Sequence, residues 1–289
     1  MNGFININKT ENMTSHDVVN IVRKTLNTKK VGHAGTLDPF ATGVLPIAIG
    51  KATRFLEYIT EADKSYRAEM LFGTETDTGD ITGNIINQSN DFKIPKKQEV
   101  DEVINSFVGL IKQVPPRYSA IKINGRKAYE LARKNIDFTL STREVFINNI
   151  SVIDLTDQTL TFDVDCSKGT YIRSLAVDIG KKLNLLATLK NLCRTRAGEF
   201  NISNAVTLER LKISKEAAII PIDKCLNHLP TFYLSPNRLR PFCNGLSTKT
   251  YKNFDDDSIF RVYVDKEFVG IGKIFDGEIK AVKLAINSN

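Results

Sequence analysis

The feature that most constrains this chain is a glycine-rich loop around a single carboxylate, followed directly by an apolar run. Residues 31–46 contain Asp38, Pro39 and three glycines, at positions 32, 35 and 43. Glycine reaches backbone angles that are closed to other residues, and proline favours an extended conformation in the residue before it. The apolar run at residues 44–49 predicts a short buried strand. The loop is therefore expected to hold Asp38 in one pose, anchored to a core.

Asp38 has two interpretations on local chemistry alone. An aspartate in a glycine-rich loop is most often a turn residue or a cap, because its carboxylate accepts hydrogen bonds from nearby backbone N–H groups. A carboxylate on a shaped loop that a ligand can approach is also a candidate nucleophile. The loop by itself leaves both interpretations open.

Strand-like and helix-like segments are mixed along the chain. Alternating or apolar stretches predict strands at residues 4–9, 44–49, 65–72, 143–154 and 159–166. Helical spacing of apolar residues predicts helices at 16–26, 51–60, 96–108 and 174–183. Thr14 and Ser15 offer an N-cap for the first of these helices.

Composition limits the classes of protein that fit the chain. At 289 residues, with 42% hydrophobic and 25% charged residues, it can bury one large core, or one core and a small satellite. No run of about 18 apolar residues is present, and the first residues lack the plan of a signal peptide. We therefore expect a cytoplasmic protein without a membrane segment. The four cysteines and three histidines are scattered, which predicts reduced structural thiols and no metal site.

The chain has a formal net charge of +7, and a basic insertion at about residues 113–140 contributes to it. Its cationic side chains include Lys122 and Arg126, and Tyr118 and Tyr129 lie among them. Such a mixture suits phosphate contacts and stacking on unpaired bases. A solvated loop and helix face explains the same pattern equally well, so the charge favours nucleic acid only in combination with other features.

Two further segments carry charged residues. Residues 167–173 lead from a predicted strand into a predicted helix, where Tyr171 and Arg173 point the same way if the backbone is extended. Arg173 is then able to pair with a carboxylate. The acidic stretch at residues 73–80 lacks the spacing of a calcium loop, and its Asp, Thr and Gly residues predict a structural turn.

The last part of the chain differs in character from the rest. Prolines at positions 221, 230, 236 and 241 crowd a boundary, and short strands are predicted at 258–264, 267–275 and 278–285. The pattern predicts two domains, the first spanning residues 1–227 and the second, a small β-rich module, spanning 228–289.

Together these segments resemble the TruB family of pseudouridine synthases, the tRNA pseudouridine-55 synthases. The resemblance extends from the N-terminus to about residue 225, in motifs at residues 13–19, 32–46, 50–54, 64–66, 73–83, 115–122, 128–133, 169–175 and 192–200. One departure follows Lys9, where the family usually has proline next and glycine two residues later. This chain has Thr10 and Asn12 there, so the turn is expected to be shaped differently.

The resemblance implies a role for each candidate site residue. Asp38 would be the catalytic nucleophile, Arg173 its salt-bridge partner, and Tyr66 the ring that stacks on the target uracil and assists proton transfer. An arginine beside Asp38 is expected to lower the pKa of the carboxyl group and keep it ionised. Tyr171 and Leu192 would complete the pocket that binds the substrate, and His33 would contact the RNA near the flipped base. Lys122 and Arg126 are candidates for substrate binding because of their place in the basic insertion.

The resemblance also implies a fold and a reaction. The expected fold is α+β, a pseudouridine synthase fold with a central mixed, mostly antiparallel sheet flanked by helices, and a small β-rich C-terminal domain like the RNA-binding PUA domain. The expected reaction converts uridine to pseudouridine at position 55, in the T loop of tRNA, on a flipped-out base and without a cofactor. The expected partner is the T-arm stem-loop of tRNA, with no obligate protein partner and a monomeric enzyme.

Two other classes remain as alternatives. A non-catalytic RNA-binding protein or tRNA folding chaperone would need the basic and aromatic surfaces but not Asp38. A glycosidase that works through carboxylates would need a second acid–base carboxylate, and no motif marks one. The presence of Asp38, Tyr66 and Arg173 together favours the RNA-modifying enzyme.

Overall fold

The computed structural model describes residues 1–250 and 252–286 of the chain. Its strands, in chain order, are β1 (Gly3–Lys9), β2 (Val31–His33), β3 (Thr42–Ile49), β4 (Lys64–Phe72), β5 (Thr74–Thr76), β6 (Ile85–Gln88), β7 (Gly109–Gln113), β8 (Lys122–Ile123), β9 (Arg126–Lys127), β10 (Arg143–Leu155), β11 (Thr159–Cys166), β12 (Ala187–Ala197), β13 (Phe200–Asn201), β14 (Thr231–Tyr233), β15 (Thr248–Lys249), β16 (Ile259–Val264), β17 (Glu267–Phe275) and β18 (Glu278–Leu284).

The helices lie between these strands. The α-helices are α1 (Ser15–Thr25), α2 (Leu56–Thr60), α3 (Lys97–Asn105), α4 (Ala128–Ala132), α5 (Ile172–Lys182), α6 (Leu208–Ser214) and α7 (Leu239–Cys243). Short 3-10 helices occupy Gly50–Phe55, Ile202–Asn204, Lys215–Ala218, Ile222–Leu226 and Pro236–Arg238. None of the helices in the described part of the chain is long and apolar enough to span a bilayer.

A nine-stranded sheet forms the centre of the molecule. Its main path runs β1-β3-β12-β4-β11-β10-β7, with β2 paired to β3 and β13 paired to β12. Strands β3 and β12 run parallel, and the other pairs in the sheet are antiparallel. Helices α1, α3 and α5 bury apolar side chains in the same core as the sheet. The expected α+β class, with a central mixed and mostly antiparallel sheet flanked by helices, is confirmed.

Helix α1 shows how local sequence sets an element. Thr14 is its N-cap, and the Thr14 hydroxyl accepts a hydrogen bond from the Asp17 N–H at 3.1 Å. The Asp17 carboxylate accepts from the Thr14 N–H at 2.9 Å, which completes a capping box. Val18, Val19 and Val22 share the buried face. The predicted strand and helix at the start of the chain are confirmed.

Three predicted elements differ from the structure. The helix expected at residues 51–60 is a 3-10 helix followed by the short α2. The turn expected at 73–80 contains β5, which pairs with β6 as a hairpin. Helix α5 begins at Ile172 rather than at position 174, so Arg173 lies in its first turn and not in an extended junction. The observed boundaries differ from the predicted ones because burial and pairing with distant parts of the chain decide where an element begins and ends.

The C-terminal part forms a second, five-stranded sheet in the order β14-β16-β17-β18-β15. Its core contains Phe232, Phe242 and Phe260. This sheet also shares a buried apolar cluster with the larger one, which contains Ala48 of β3 and Ile271 of β17. In the same cluster, the ring centroids of Phe55, in the 3-10 helix after β3, and Phe268 are 6.1 Å apart. The expected β-rich C-terminal part is therefore confirmed, and apolar contacts join it to the central sheet.

Candidate active site

The Asp38 loop runs irregularly between β2 and β3, and both residues beside Asp38 are held by buried side chains. The Ser15 hydroxyl accepts from the Leu37 N–H at 2.9 Å and lies 3.2 Å from the Leu37 carbonyl, to which it donates. On the other side, Lys9 Nζ donates to the Pro39 carbonyl at 3.1 Å. These contacts fix the backbone on either side of the carboxylate.

Lys9 is fully buried at the end of β1. Its ammonium group also donates to the carbonyls of Thr10 and Met13, at 2.9 and 2.8 Å. Burial lowers the pKa of Lys9 to about 8.

In the turn that follows Lys9, Asn12 has a φ of 61°, in the left-handed region that glycine favours and asparagine tolerates. Asparagine thus meets the backbone requirement of a glycine at that position.

Arg173 is the hub of the polar network around Asp38, and its side chain is 6% exposed. Its Nε lies 3.0 Å from Asp38 Oδ2, and Nη2 donates to Asp38 Oδ1 at 3.3 Å. Nη1 donates to Asp80 Oδ2 at 3.3 Å and to the Thr78 carbonyl at 3.1 Å. Nη2 also donates to the Tyr118 carbonyl at 2.9 Å. Every nitrogen of the guanidinium therefore faces an acceptor, as its fork of donors requires.

The carboxylates of this network offset an unfavourable interaction between Arg173 and the dipole of helix α5. A cation in the first turn of α5 is disfavoured by the helix dipole, whose positive end lies there. Asp38 and Asp80 offset this because each carboxylate lies within ion-pair distance of Arg173. The predicted pairing of Arg173 with the loop carboxylate is what the geometry shows.

Asp80 is a buried member of the site that sequence reasoning missed, because it was assigned to a structural turn. It is 3% exposed. Its Oδ1 accepts from the Thr82 N–H at 3.0 Å, from the Thr82 hydroxyl, and from the Thr78 hydroxyl at 3.1 Å. A backbone bridge between Asp80 and Leu189 brings the segment to β12. Its place within the motif at 73–83 was the signal for a role beyond a turn.

The electrostatics of Asp38 differ from expectation. Burial raises the pKa of its carboxyl group above the ordinary value of 3.8, whereas the Arg173 guanidinium acts to lower it. The Asp80 charge acts in the same direction as burial. Arg173 therefore lowers the pKa of Asp38 as expected, but burial acts more strongly in the opposite direction and the net shift is upward. A third of the Asp38 side chain remains exposed, so one side of the carboxylate is open to a ligand.

Tyr66 and Leu192 lie on adjacent strands of the sheet. Tyr66 is half-buried on β4 and is in register with Arg194 of β12. Leu192 lies on β12 opposite Ala68 and is 8% exposed, which supplies an apolar wall. Burial raises the pKa of the Tyr66 phenol, and the Asp38 charge acts in the same direction. Tyr66 therefore lies within electrostatic reach of the carboxylate.

Tyr171 is the N-cap of α5, and its backbone is clamped by a side chain at the root of the basic insertion. The Tyr171 N–H donates to Gln113 Oε1 at 2.8 Å, and Gln113 Nε2 donates to the Tyr171 carbonyl at 3.0 Å. Burial raises the pKa of the Tyr171 phenol; the Asp38 charge acts in the same direction, and the Arg173 charge opposes it. The clamp was not predicted, because a single glutamine gives no local signal.

The remaining candidates lie in two places. His33 ends β2, and its Nδ1 is buried without a hydrogen-bond partner in the described part of the chain. Burial lowers the pKa of His33, which favours the neutral ring. Lys122 and Arg126 are exposed on the β8–β9 hairpin and take part in no ion pair among residues 1–250 and 252–286. They lie outside the polar network of Asp38 and Arg173, and the insertion reaches that network through the Tyr118 carbonyl.

Comparison with family models identifies the class of protein to which this fold and site belong. Residues 23–172 match the model described as TruB family pseudouridylate synthase (N terminal domain). Residues 173–227 match the model described as tRNA pseudouridylate synthase B C-terminal domain. The chain belongs to the TruB family of pseudouridine synthases.

Curated relatives and solved structures agree with this membership. The tRNA pseudouridine synthase B of Clostridium kluyveri is 44% identical, over 99% of this chain and 100% of that protein. The protein of the same name from Alkaliphilus oremlandii is also 44% identical, over 94% of this chain and 93% of that protein. A solved Cbf5-Nop10-Gar1 complex contains a chain with a TM-score of 0.77 and 27% identity, covering 99% of this chain and 85% of that chain. An H/ACA RNP bound to a substrate RNA containing 2'-deoxyuridine gives 0.76 and 25%, covering 99% and 86%.

Proposed function

We propose that this enzyme isomerises uridine to pseudouridine at position 55, in the T loop of tRNA, with Asp38 as the nucleophile. The single observation that carries the proposal is the Asp38–Arg173 pair, with Nε and Oδ2 3.0 Å apart and the carboxylate one-third exposed. The names of the curated relatives point to tRNA as the substrate.

The chemistry fits the groups in the site. The reaction breaks the bond between C1' of the ribose and N1 of the uracil and forms a bond from C1' to C5. The C5 proton leaves to solvent or to a base, and N1 takes up a proton in its place. Atoms and electrons balance without an oxidant, so we propose that no cofactor takes part. Asp38 can attack the sugar, add to the base or promote elimination through a glycal, and all three routes use an ionised carboxylate. Arg173 favours that ionised form by direct pairing.

The pocket residues have roles that follow from their surroundings. Taking a base out of its stack costs a few kcal/mol, and stacking on an aromatic ring offsets about 1–3 kcal/mol of it. We propose Tyr66 as the stacking ring, with Tyr171 and Leu192 completing the walls. His33 contacts the RNA near the flipped base as a neutral ring, in keeping with its lowered pKa.

The basic insertion supplies affinity rather than base selection. Lys122 and Arg126 are exposed and free of ion pairs among the described residues, so both are available to phosphates of the T-arm. Each phosphate contact contributes about one unit to the slope of log affinity against log salt. Lys122→Ala and Arg126→Ala are each expected to weaken binding and to lower that slope by about 1.

The wider setting belongs to the same proposal. We propose a catalytic domain at residues 1–227 and a PUA-like RNA-binding domain at 228–289, in a cytoplasmic monomer with no obligate protein partner. A non-catalytic RNA-binding protein or tRNA folding chaperone is not favoured, because neither needs the Asp38 carboxylate that pairs with Arg173.

The test is release of tritium from C5-labelled uridine in a tRNA transcript. The wild-type enzyme is expected to release one label per tRNA from the T-loop uridine. A transcript with cytidine in place of that one uridine is the matched control and is expected to release none. Release that is equal from both transcripts would refute the assignment of the T loop, and no release from either would refute the activity.

A further inference from the structure

Arg194 is a buried cation to which the proposed reaction assigns no role. It lies on β12 and is 1% exposed. No carboxylate of the described residues forms an ion pair with it, in contrast to Arg173 and to Arg196 on the same strand, which pair with Asp38 and Asp165. A buried charge without an opposite charge is costly, so its hydrogen bonds must be well satisfied and its position must matter.

The side chain of Arg194 spans the Asp38 loop. Its Nε donates to the Val44 carbonyl at 2.7 Å, and its Nη2 donates to the Gly35 carbonyl at 3.2 Å. Gly35 precedes Asp38 by three residues and Val44 follows it by six. One guanidinium therefore ties together the two ends of the segment that carries the nucleophile.

The backbone of Arg194 lies on a rung that crosses three strands. Arg194 is in register with Gly43 of β3 on one side and with Tyr66 of β4 on the other. The strands approach so closely at Gly43 that a Cβ there would lie 2.3 Å from the Arg194 carbonyl oxygen. The rung thus joins the end of the nucleophile loop to the proposed stacking ring.

The guanidinium also acts on the Tyr66 phenol. Arg194 and Tyr66 occupy directly paired positions on adjacent strands, so their side chains lie on the same face of the sheet. Burial raises the pKa of Tyr66, and the Arg194 charge opposes that effect. The same charge contributes to the lowered pKa values of Lys9 and Lys64, after burial, which is the larger cause. Its influence therefore reaches the walls of the site as well as the loop.

We propose that Arg194 is a positioning residue of the active site, which couples the Asp38 loop to the Tyr66 side chain through one buried guanidinium. The inference rests on the proposed function, because it assigns Asp38 and Tyr66 to one reaction. The guanidinium contacts the Val44 and Gly35 carbonyls through two different nitrogens, Nε and Nη2, which the single ammonium nitrogen of a lysine does not reproduce in the same geometry. Charge alone is therefore insufficient at this position.

The test is a double-mutant cycle on pseudouridine formation. Arg194→Lys is expected to lower kcat by about 10- to 100-fold, the worth of a hydrogen bond to a charged group, with KM changed by less than about threefold. In a Tyr66→Phe background the cost of Arg194→Lys is expected to shrink by at least about threefold, because the coupled partner is already lost. The matched control is Arg196→Lys, on the same strand, whose cost is expected to be small in both backgrounds.

Two outcomes overturn the inference. An Arg194→Lys enzyme that is folded and keeps wild-type kcat shows that the fork is unnecessary. A loss of the same size with and without the Tyr66 hydroxyl shows that Arg194 supports the fold and does not couple the two groups. The cycle is run in parallel with Arg194→Gln, and circular dichroism checks folding, so that failure of one variant does not end the test.

A readout without turnover separates this inference from the proposed function. In protein labelled with 3-fluorotyrosine, the Tyr66 resonance is assigned by its disappearance in Tyr66→Phe. Arg194→Lys is expected to shift that resonance more than Arg196→Lys does. Equal shifts overturn the coupling, whether or not the wild-type enzyme makes pseudouridine. A wild-type enzyme without activity overturns the proposed function and leaves the coupling to be decided by the resonance.

Discussion

Replacing Asp80 by asparagine tests how the site balances its charges. Asparagine has nearly the same shape as aspartate and can still accept from the Thr82 N–H, which lies 3.0 Å from Oδ1. What is lost is one negative charge beside Arg173, at 3.3 Å from Nη1. Because asparagine offers one acceptor and one donor group, either the Arg173 contact or the Thr82 contact then faces a donor.

The magnitude follows from the burial of this contact. A hydrogen bond to a charged group contributes about 1.5–3 kcal/mol, and the Asp80 side chain is only 5% exposed, so solvent does not replace it. Each 1.36 kcal/mol is a factor of ten in rate, so kcat is expected to fall by about 10- to 100-fold. The free energy of unfolding is expected to fall by about 1–3 kcal/mol, which is less than for a buried charge left without any partner, because Arg173 keeps Asp38.

The pH dependence of the rate gives a second, independent prediction for Asp80→Asn. The Asp80 charge acts to raise the pKa of Asp38, so its removal lowers that pKa. Activity requires ionised Asp38, and the acid limb of the rate profile is therefore expected to move to lower pH in Asp80→Asn. The wild-type limb is expected above the ordinary carboxyl value of 3.8, because burial raises the Asp38 pKa.

The assays are single-turnover pseudouridine formation across pH and urea unfolding. The matched control is Asp163→Asn, the same substitution at an exposed ion pair with Arg67, where the Nη2–Oδ2 distance is 2.8 Å. Exposed pairs contribute about 0–1 kcal/mol, so this variant is expected to keep wild-type activity. Unchanged kcat in Asp80→Asn, or an acid limb that moves to higher pH, would refute the reasoning.

Two further predictions concern the scaffold of the site. Gln113→Ala removes both hydrogen bonds to the Tyr171 backbone, so it is expected to lower the free energy of unfolding by about 1–3 kcal/mol and to lower kcat. Gln158→Ala, at an exposed turn, is the control and is expected to change neither quantity. Equal effects of the two substitutions would contradict the role of Gln113 as a clamp. Gly43→Ala places a Cβ 2.3 Å from the Arg194 carbonyl oxygen, at a residue whose φ is 97°. The substitution is expected to lower the free energy of unfolding, measured in urea, by more than about 2 kcal/mol. Wild-type stability would show that the strands do not approach closely at Gly43.

Some of this site was predictable from sequence because the signals were local or carried by motifs. Strand β1 and the Thr14 cap of α1 depend on neighbours in sequence, and both were predicted correctly. The half-burial that alternation in β1 indicates is wrong, because Asn6 and Lys9 are buried as well. The pairing of Asp38 with Arg173 was expected from the resemblance, and the structure places the two groups in contact.

Other parts depend on contacts between distant segments, which no local pattern encodes. Asp80 has the sequence surroundings of a turn residue, and only the approach of its segment to β12 and α5 makes it a buried partner of Arg173. The Lys9 ammonium reaches the Pro39 carbonyl across 30 residues of sequence. The direction of the Asp38 pKa shift depends on how deeply the carboxylate is buried, and burial follows from packing of the whole loop.

The most direct measurement of the central claim is single-turnover formation of pseudouridine in a T-arm stem-loop by wild type, Asp38→Asn and the control Asp163→Asn. The wild type and the control are expected to convert the T-loop uridine at equal rates. Asp38→Asn is expected to bind the RNA and to form no pseudouridine above background, because asparagine keeps the shape of the side chain and loses the nucleophilic charge. Conversion by Asp38→Asn at the wild-type rate would contradict the assignment of Asp38 as the nucleophile.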